Sequence, residues 1–204
     1  RLIDAPFATA DAGEVDVVHH DELPVRRELD IDLRPIGAID DRLLTQAVEL
    51  IATATQVNLV AARRSFPVAA YLAYALNQLE VRTQLLDNVG GMNREFATRI
   101  GADEAVVAIS FRNYTGEVVE IADACRRRGA AVIAITDSKL SPLTRVATLS
   151  FAIGDDGGTA FRSLVEPIVL AQSLVVAVGH RLLAERAPPR RAGAKPASTR
   201  KARR

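Results

Sequence analysis

Eight residues in three short stretches have side chains suited to holding an anion. Arg63 and Ser65 stand in the first, Ser110, Arg112, Asn113 and Thr115 in the second, and Thr136 and Ser138 in the third. A guanidinium gives phosphate or carboxylate oxygens charge-assisted, often bidentate hydrogen bonds. A small hydroxyl at the start of a helix can donate to the same oxygens, beside free backbone N–H groups and the positive end of the helix dipole. Taken singly, each stretch has a plainer reading. Ser65 reads equally as a helix cap, and Thr136-Asp137-Ser138 as a turn. Their joint occurrence is what points to an anion site.

The elements around them decide whether the stretches can meet. Ala105 to Ile109 is a continuous apolar run, as a strand buried on both faces of a parallel sheet requires. Thr115 and Gly116 open a helix with Val118, Ile121, Ala122 and Cys125 on one face. Glu117 begins it, Arg126 to Arg128 end it, each with the sign the dipole favours, and Gly129 suits the cap beyond. Val132 to Ile135 is the next strand, which completes a βαβ unit.

The same alternation runs through the core. Asp40 or Asp41 caps a helix through Thr53, and Ser65 with Pro67 opens another to about Glu80. Met92 to Ile100 is a short helix, Ser141-Pro142 starts a helical turn, and residues 161–184 form a long helix with Pro167 in its first turn or at a kink. Strands are expected at 57–61, 82–86, 105–109, 132–136 and 148–153. The fold class is therefore α/β: a doubly wound five-stranded parallel sheet, order 2-1-3-4-5, with helices on both faces. Such sheets bind ligands at the carboxyl ends of their strands, where all three polar stretches fall.

Composition bounds the rest. The 204 residues suit one domain with appendages: an acidic N-terminal segment or linker at 1–38, a core at 39–185 and a basic tail at 186–204. Nine acids face three arginines before residue 33, whereas the tail has eight basic residues and no acid. Rich in Ala, Pro, Arg and Lys, that tail should be disordered, either as a solvated end or as an electrostatic contact for nucleic acid. The single cysteine, Cys125, excludes a disulfide framework and a thiolate metal site and fits a cytoplasmic protein. His19-His20 has no partner spacing that suits a metal, and no cofactor motif is present. No apolar run reads as a membrane span.

Residues 42–184 resemble the sugar isomerase (SIS) domain, more narrowly the effector domain of MurR/RpiR-type bacterial transcriptional regulators. The resemblance rests on VNLVAARRSFPVAAYLAYAL, LLDNVGGM, VVAISFRNYTGEVVEIADACRRRGAAVIAITDSKLSPL and FRSLVEPIVLAQSLVVAVGHRL, with AITDSKLSPL at 134–143 the most specific. It implies a phosphosugar at the strand ends, with Ser65, Ser110 and Thr115 contacting phosphate. It also implies a homodimer or higher oligomer, and DNA contact through an N-terminal domain expected outside this chain. The chain departs from the family pattern at four places. Ala61 and Arg63 stand where glycines are usual, Arg112 replaces a serine, and Asn113 replaces a glycine. The departures narrow the pocket and add charge, which suits a ligand smaller or more anionic than a hexose phosphate, or one that is not a sugar.

An aldose–ketose isomerase is the competing reading. It needs a base to move a proton α to a carbonyl. His19 and His20 precede the core, His180 lies late in the last helix, and none is in a strand-end loop. Glu166 is the best candidate carboxylate, although its place in a first helical turn has a dipole explanation. The expectation is a sensor of an anionic metabolite, with no catalytic residue, metal or cofactor.

Overall fold

The computed structural model describes residues 39–153 and 163–186; the acidic segment, the 154–158 glycine loop and most of the basic tail lie outside them. Helix α1 (Asp41–Thr53) starts at Asp40, whose carboxylate accepts from the N–H groups of Arg42 and Leu43 at 2.8 and 3.3 Å. Strand β1 (Val57–Ala61) follows, then a 3₁₀ turn (Arg63–Ser65) that runs into α2 (Phe66–Gln78). Next come β2 (Thr83–Leu86), α3 (Asn93–Ala97) and β3 (Ala105–Ile109). Then α4 (Gly116–Arg127), β4 (Ala131–Thr136), α5 (Pro142–Val146), β5 (Leu149–Ala152) and α6 (Val165–Arg186) complete the described chain.

All five strands are parallel, in the order β2-β1-β3-β4-β5, as the sequence reading expects. The strands β1 and β3 are buried along their whole length, which explains their unbroken apolar runs. One layer, on the face of Leu59, Val107, Ile133 and Phe151, holds α1, α2 and α6. The other, on the face of Val60, Val106, Ala108 and Val132, holds α3, α4 and α5. Cys125 is buried in this second layer, and burial pushes its thiol up.

Several boundaries differ from expectation for local reasons. Helix α2 stops at Gln78 rather than Glu80, because Glu80 takes a left-handed φ of 63° that ends the helix. Strand β2 begins one residue after Arg82, whose carbonyl accepts from Val57 N–H before the ladder starts. Helix α3 covers only five residues of the expected 92–100. Helix α6 begins at Val165, after Ser163, whose Oγ accepts the Val165 N–H at 3.0 Å, and Pro167 sits in the first turn without a kink.

The expectation that no segment matches a membrane span needs correction. Helix α6, at 22 residues, is long and apolar enough by length and composition to cross one. In this fold its Leu170, Ala171, Leu174 and Val178 are buried against the sheet layer, so its apolar run has a core role. Arg181 near its end pairs with Glu49 of α1 at 2.6 Å.

One polar residue interrupts the β1 core. Asn58 is 1% exposed; its Nδ2 donates to Glu104 Oε2 at 2.7 Å, and its Oδ1 accepts from Gln56 Nε2 at 2.9 Å. A buried amide is tolerable only when its groups are paired. Replacing it with an apolar residue strands the partners. Asn58→Leu is expected to lower the unfolding free energy by about 1–3 kcal/mol. Urea denaturation with an unchanged slope is the check.

Candidate functional site

The order of the strands reverses between β1 and β3, and this switch point is where an open α/β sheet leaves a crevice at its carboxyl edge. The ladder pairs Ala61 with Ile109 and Ile109 with Ile135, so the loops leaving β1, β3 and β4 start side by side. All eight residues singled out from sequence lie in or at the ends of these loops. They divide by burial. Ser65, Ser110 and Thr136 are 3%, 2% and 0% exposed. Arg63, Arg112 and Asn113 are exposed, with Thr115 and Ser138 half-buried between the two sets.

The buried hydroxyls tie the loops together. Ser65 Oγ faces two carbonyls, Ala62 O at 2.7 Å and Ile109 O at 3.0 Å, which fastens the β1 loop to the end of β3. It does not cap α2, where sequence placed it: no side-chain bond caps that helix, and Ser65 itself has helical dihedrals. Thr136 Oγ1 donates to Ser110 O at 2.8 Å and fastens β4 to β3. Ser110 Oγ accepts the Thr115 N–H at 3.2 Å, closing its own loop. A hydroxyl has one hydrogen. Those of Ser65 and Thr136 are directed at backbone carbonyls, whereas Ser110 Oγ serves as an acceptor in this loop.

The acceptor role of Ser110 leaves its loop shaped around the start of α4. No side chain caps α4, and the Thr115 carbonyl accepts from Val118 at 3.1 Å. A Cβ built on Gly116 would meet no atom within 4 Å, so open space lies over the first turn. Positive dipole density and backbone donors face that space.

Two further residues of these strand ends, outside the eight, are Asp137 and Tyr114. Asp137, 8% exposed, accepts the Arg112 N–H on Oδ2 at 2.8 Å. The Tyr114 phenol is held above the ordinary tyrosine value, first by burial, then by its hydrogen bond to Asp137 and the charge there; Ser141 and Arg112 act the other way. The signal available in sequence was an acid between two hydroxyls at the end of a buried strand, and it was read as a turn. On the other side of the crevice, the Arg64 guanidinium lies 5.1 Å from the centre of the buried Phe111 ring, a cation–π contact that links the β1 and β3 loops again.

Of the candidates for proton transfer, Glu166 is half-buried in the first turn of α6, and His180 is exposed on its later turns. His19 and His20 lie outside the described residues. Among the described residues, no group of three or more His, Cys, Asp or Glu could hold a metal ion.

Arg63 has a left-handed φ of 56°, a region that favours glycine. Arg63→Gly should relieve that conformation. Part of the gain is offset by the greater freedom of glycine in the unfolded chain, leaving about 0.5–1 kcal/mol of added stability. Thermal and chemical denaturation of the variant measure it.

Comparison with known proteins gives a consistent result. A family model described as the SIS domain matches residues 50–177. The HTH-type transcriptional regulator HexR of Pseudomonas aeruginosa is 30% identical over 115 residues, which is 56% of this chain and 40% of that protein. The chain thus spans well under half the length of that relative. The solved sugar isomerase domain of an RpiR transcription factor from Sphaerobacter thermophilus superposes with a TM-score of 0.72 at 25% identity, covering 80% of this chain and 96% of that one. The Vibrio vulnificus NanR protein, solved with ManNAc-6P, also gives a TM-score of 0.72, at 21% identity over 81% of this chain and 66% of its own.

Proposed function

The chain belongs to the SIS domain family, and from that premise we propose that it is the effector-sensing domain of a bacterial transcriptional regulator, binding an anionic metabolite, most simply a sugar phosphate, without turning it over. The observation that carries the reading is the uncapped, open start of α4 beside an arginine-bearing loop at the topological switch point. The phosphate is assigned to the first turn of α4, where backbone donors and the dipole favour negative charge. Arg112, Asn113, Thr115 and Ser138 supply contacts from the β3 and β4 loops, and Arg63 supplies one from across the crevice. Ser65, Ser110 and Thr136 act mainly by fixing the loops, given their burial and backbone partners.

The similarity to HexR and to the RpiR domain supports a regulator over an isomerase. So does the site, since no histidine lies in a strand-end loop among the described residues. Contact with DNA would belong to a domain outside this chain, and the setting would be the bacterial cytoplasm.

Assembly follows the same reading. Helix α6 leaves Val176 and Leu183 53% and 64% exposed, with Ile168, Val175 and Leu182 half-buried beside them. A two-fold dimer using α1 and α6 would cover this surface. Light scattering at micromolar concentration should give twice the chain mass; a monomer would count against it.

Arg112→Ala is expected to weaken binding by about ten- to a hundredfold, the effect of losing a hydrogen bond of roughly 1.5–3 kcal/mol to a charged group. Ser110→Ala should cost less, having no charge to lose. Titration calorimetry against a panel of sugar phosphates is the test. A tight ligand indifferent to both variants would place the site elsewhere, and turnover of any panel member at an enzymatic rate would overturn the sensor reading and make Glu166 the first residue to mutate.

A further inference from the structure

We propose that Asp137 is a positioning residue of this site: its buried carboxylate holds the 110–115 loop, through the Arg112 N–H, in the shape that presents Arg112 and the start of α4 to an anion. The inference rests on the sensor reading for its ligand, but its structural half can be tested without one.

The loop between β3 and α4 has six residues and no regular structure. Its first residue is tied to β4 by the Ser110 N–H, which donates to Ile135 O at 3.1 Å, and side chains hold its backbone further along. Thr136 Oγ1 takes the carbonyl of Ser110 at its start, and Ser110 Oγ takes the N–H of Thr115 at its end. Asp137 holds the middle through the 2.8 Å bond from Arg112 N–H to Oδ2, next to the buried Phe111 ring under Arg64. After burial, the charge of the same carboxylate helps to raise the Tyr114 phenol above its ordinary value. Arg112 and Asn113 project from this segment and are exposed. Without the Asp137 bond the Arg112 backbone loses its side-chain anchor between Phe111 and Thr115.

A carboxylate under an anion site is unfavourable by charge. An asparagine or a serine would avoid the repulsion and could still end a strand. What neither provides is a carboxylate acceptor, which holds a backbone N–H more strongly than a neutral one does. With Arg112 N–H turned inward, the groups of this segment that face outward are the Arg112 side chain, Asn113 and the first turn of α4. The acid therefore selects which donors face outward.

The test compares wild type with Asp137→Ala and Asp137→Asn in two measurements. The first is amide hydrogen exchange. Asp137→Ala should speed exchange at Arg112 at least tenfold, while the β3 and β4 amides keep wild-type protection, and Asp137→Asn should fall between. The second is calorimetric titration with inorganic phosphate and hexose 6-phosphates below the melting temperature of each variant. Asp137→Ala should bind at least tenfold more weakly than wild type, with Asp137→Asn partly restored. Unchanged exchange at Arg112, or phosphate affinity equal to or above wild type in Asp137→Ala, overturns the proposal. Loss of protection throughout β3 and β4 also overturns it, since Asp137 would then be a general stability residue. If wild type binds no panel member, the sensor reading fails, while the exchange result still decides whether Asp137 holds the loop.

Discussion

The five strands among the described residues run the same way, so the loops leaving their carboxyl ends start at one edge of the sheet. That constraint gathers residues as far apart in sequence as Arg63 and Ser138. It also requires both faces of the sheet to be covered, which uses the apolar stripes of α1, α2 and α6 on one side and α3, α4 and α5 on the other. The carboxyl edge is then left with polar end groups of strands and N-termini of helices. A site for an anion there needs few additional devices beyond loops of the right shape.

The shape comes from hydroxyls that sequence alone would assign to a ligand. Thr136 directs its hydrogen at the Ser110 carbonyl across the β3–β4 boundary, and Ser65 Oγ lies between the carbonyls of Ala62 in its own loop and Ile109 at the end of β3. Each satisfies a carbonyl just beyond the regular ladder, where a buried and unpaired acceptor would be costly. Their burial leaves the surface of the site to Arg63, Arg112 and Asn113, three of the four positions where this chain departs from the pattern it resembles. The floor is thus built from small hydroxyls and the rim from residues particular to this chain.

This division marks where sequence reading succeeds and where it stops. The strands β1 and β3 were legible to the residue because a strand buried on both faces is apolar throughout. The half-buried edge strand β2, TQLL, gave a weaker signal, and its start was misjudged by one position. The chain ends of α2 were harder still, since Glu80 adopts a backbone conformation uncommon for its type. At the site, the residues and their edge were legible, but the direction of each hydroxyl was not. That direction depends on which carbonyl the adjacent strand brings within 3 Å, a tertiary fact. Asp137 reads in sequence as part of a turn for the same reason: its partner, Arg112 N–H, belongs to a loop 25 residues away.

The placement of charge follows from these contacts. Arg63 and Arg112 are exposed, where water weakens their long-range attraction for an anion. Neither can supply much affinity as a point charge. Their contribution depends on short, directed bonds, and a bidentate guanidinium contact is sensitive to small displacements of the loop that bears it. Asp137, being 92% buried, acts in a medium where its hydrogen bonds are stronger and less screened. The buried anion therefore has more leverage over the geometry of the loop than the exposed cations have over the ligand. Affinity at this edge depends on how firmly the loop is held as much as on the charge it displays.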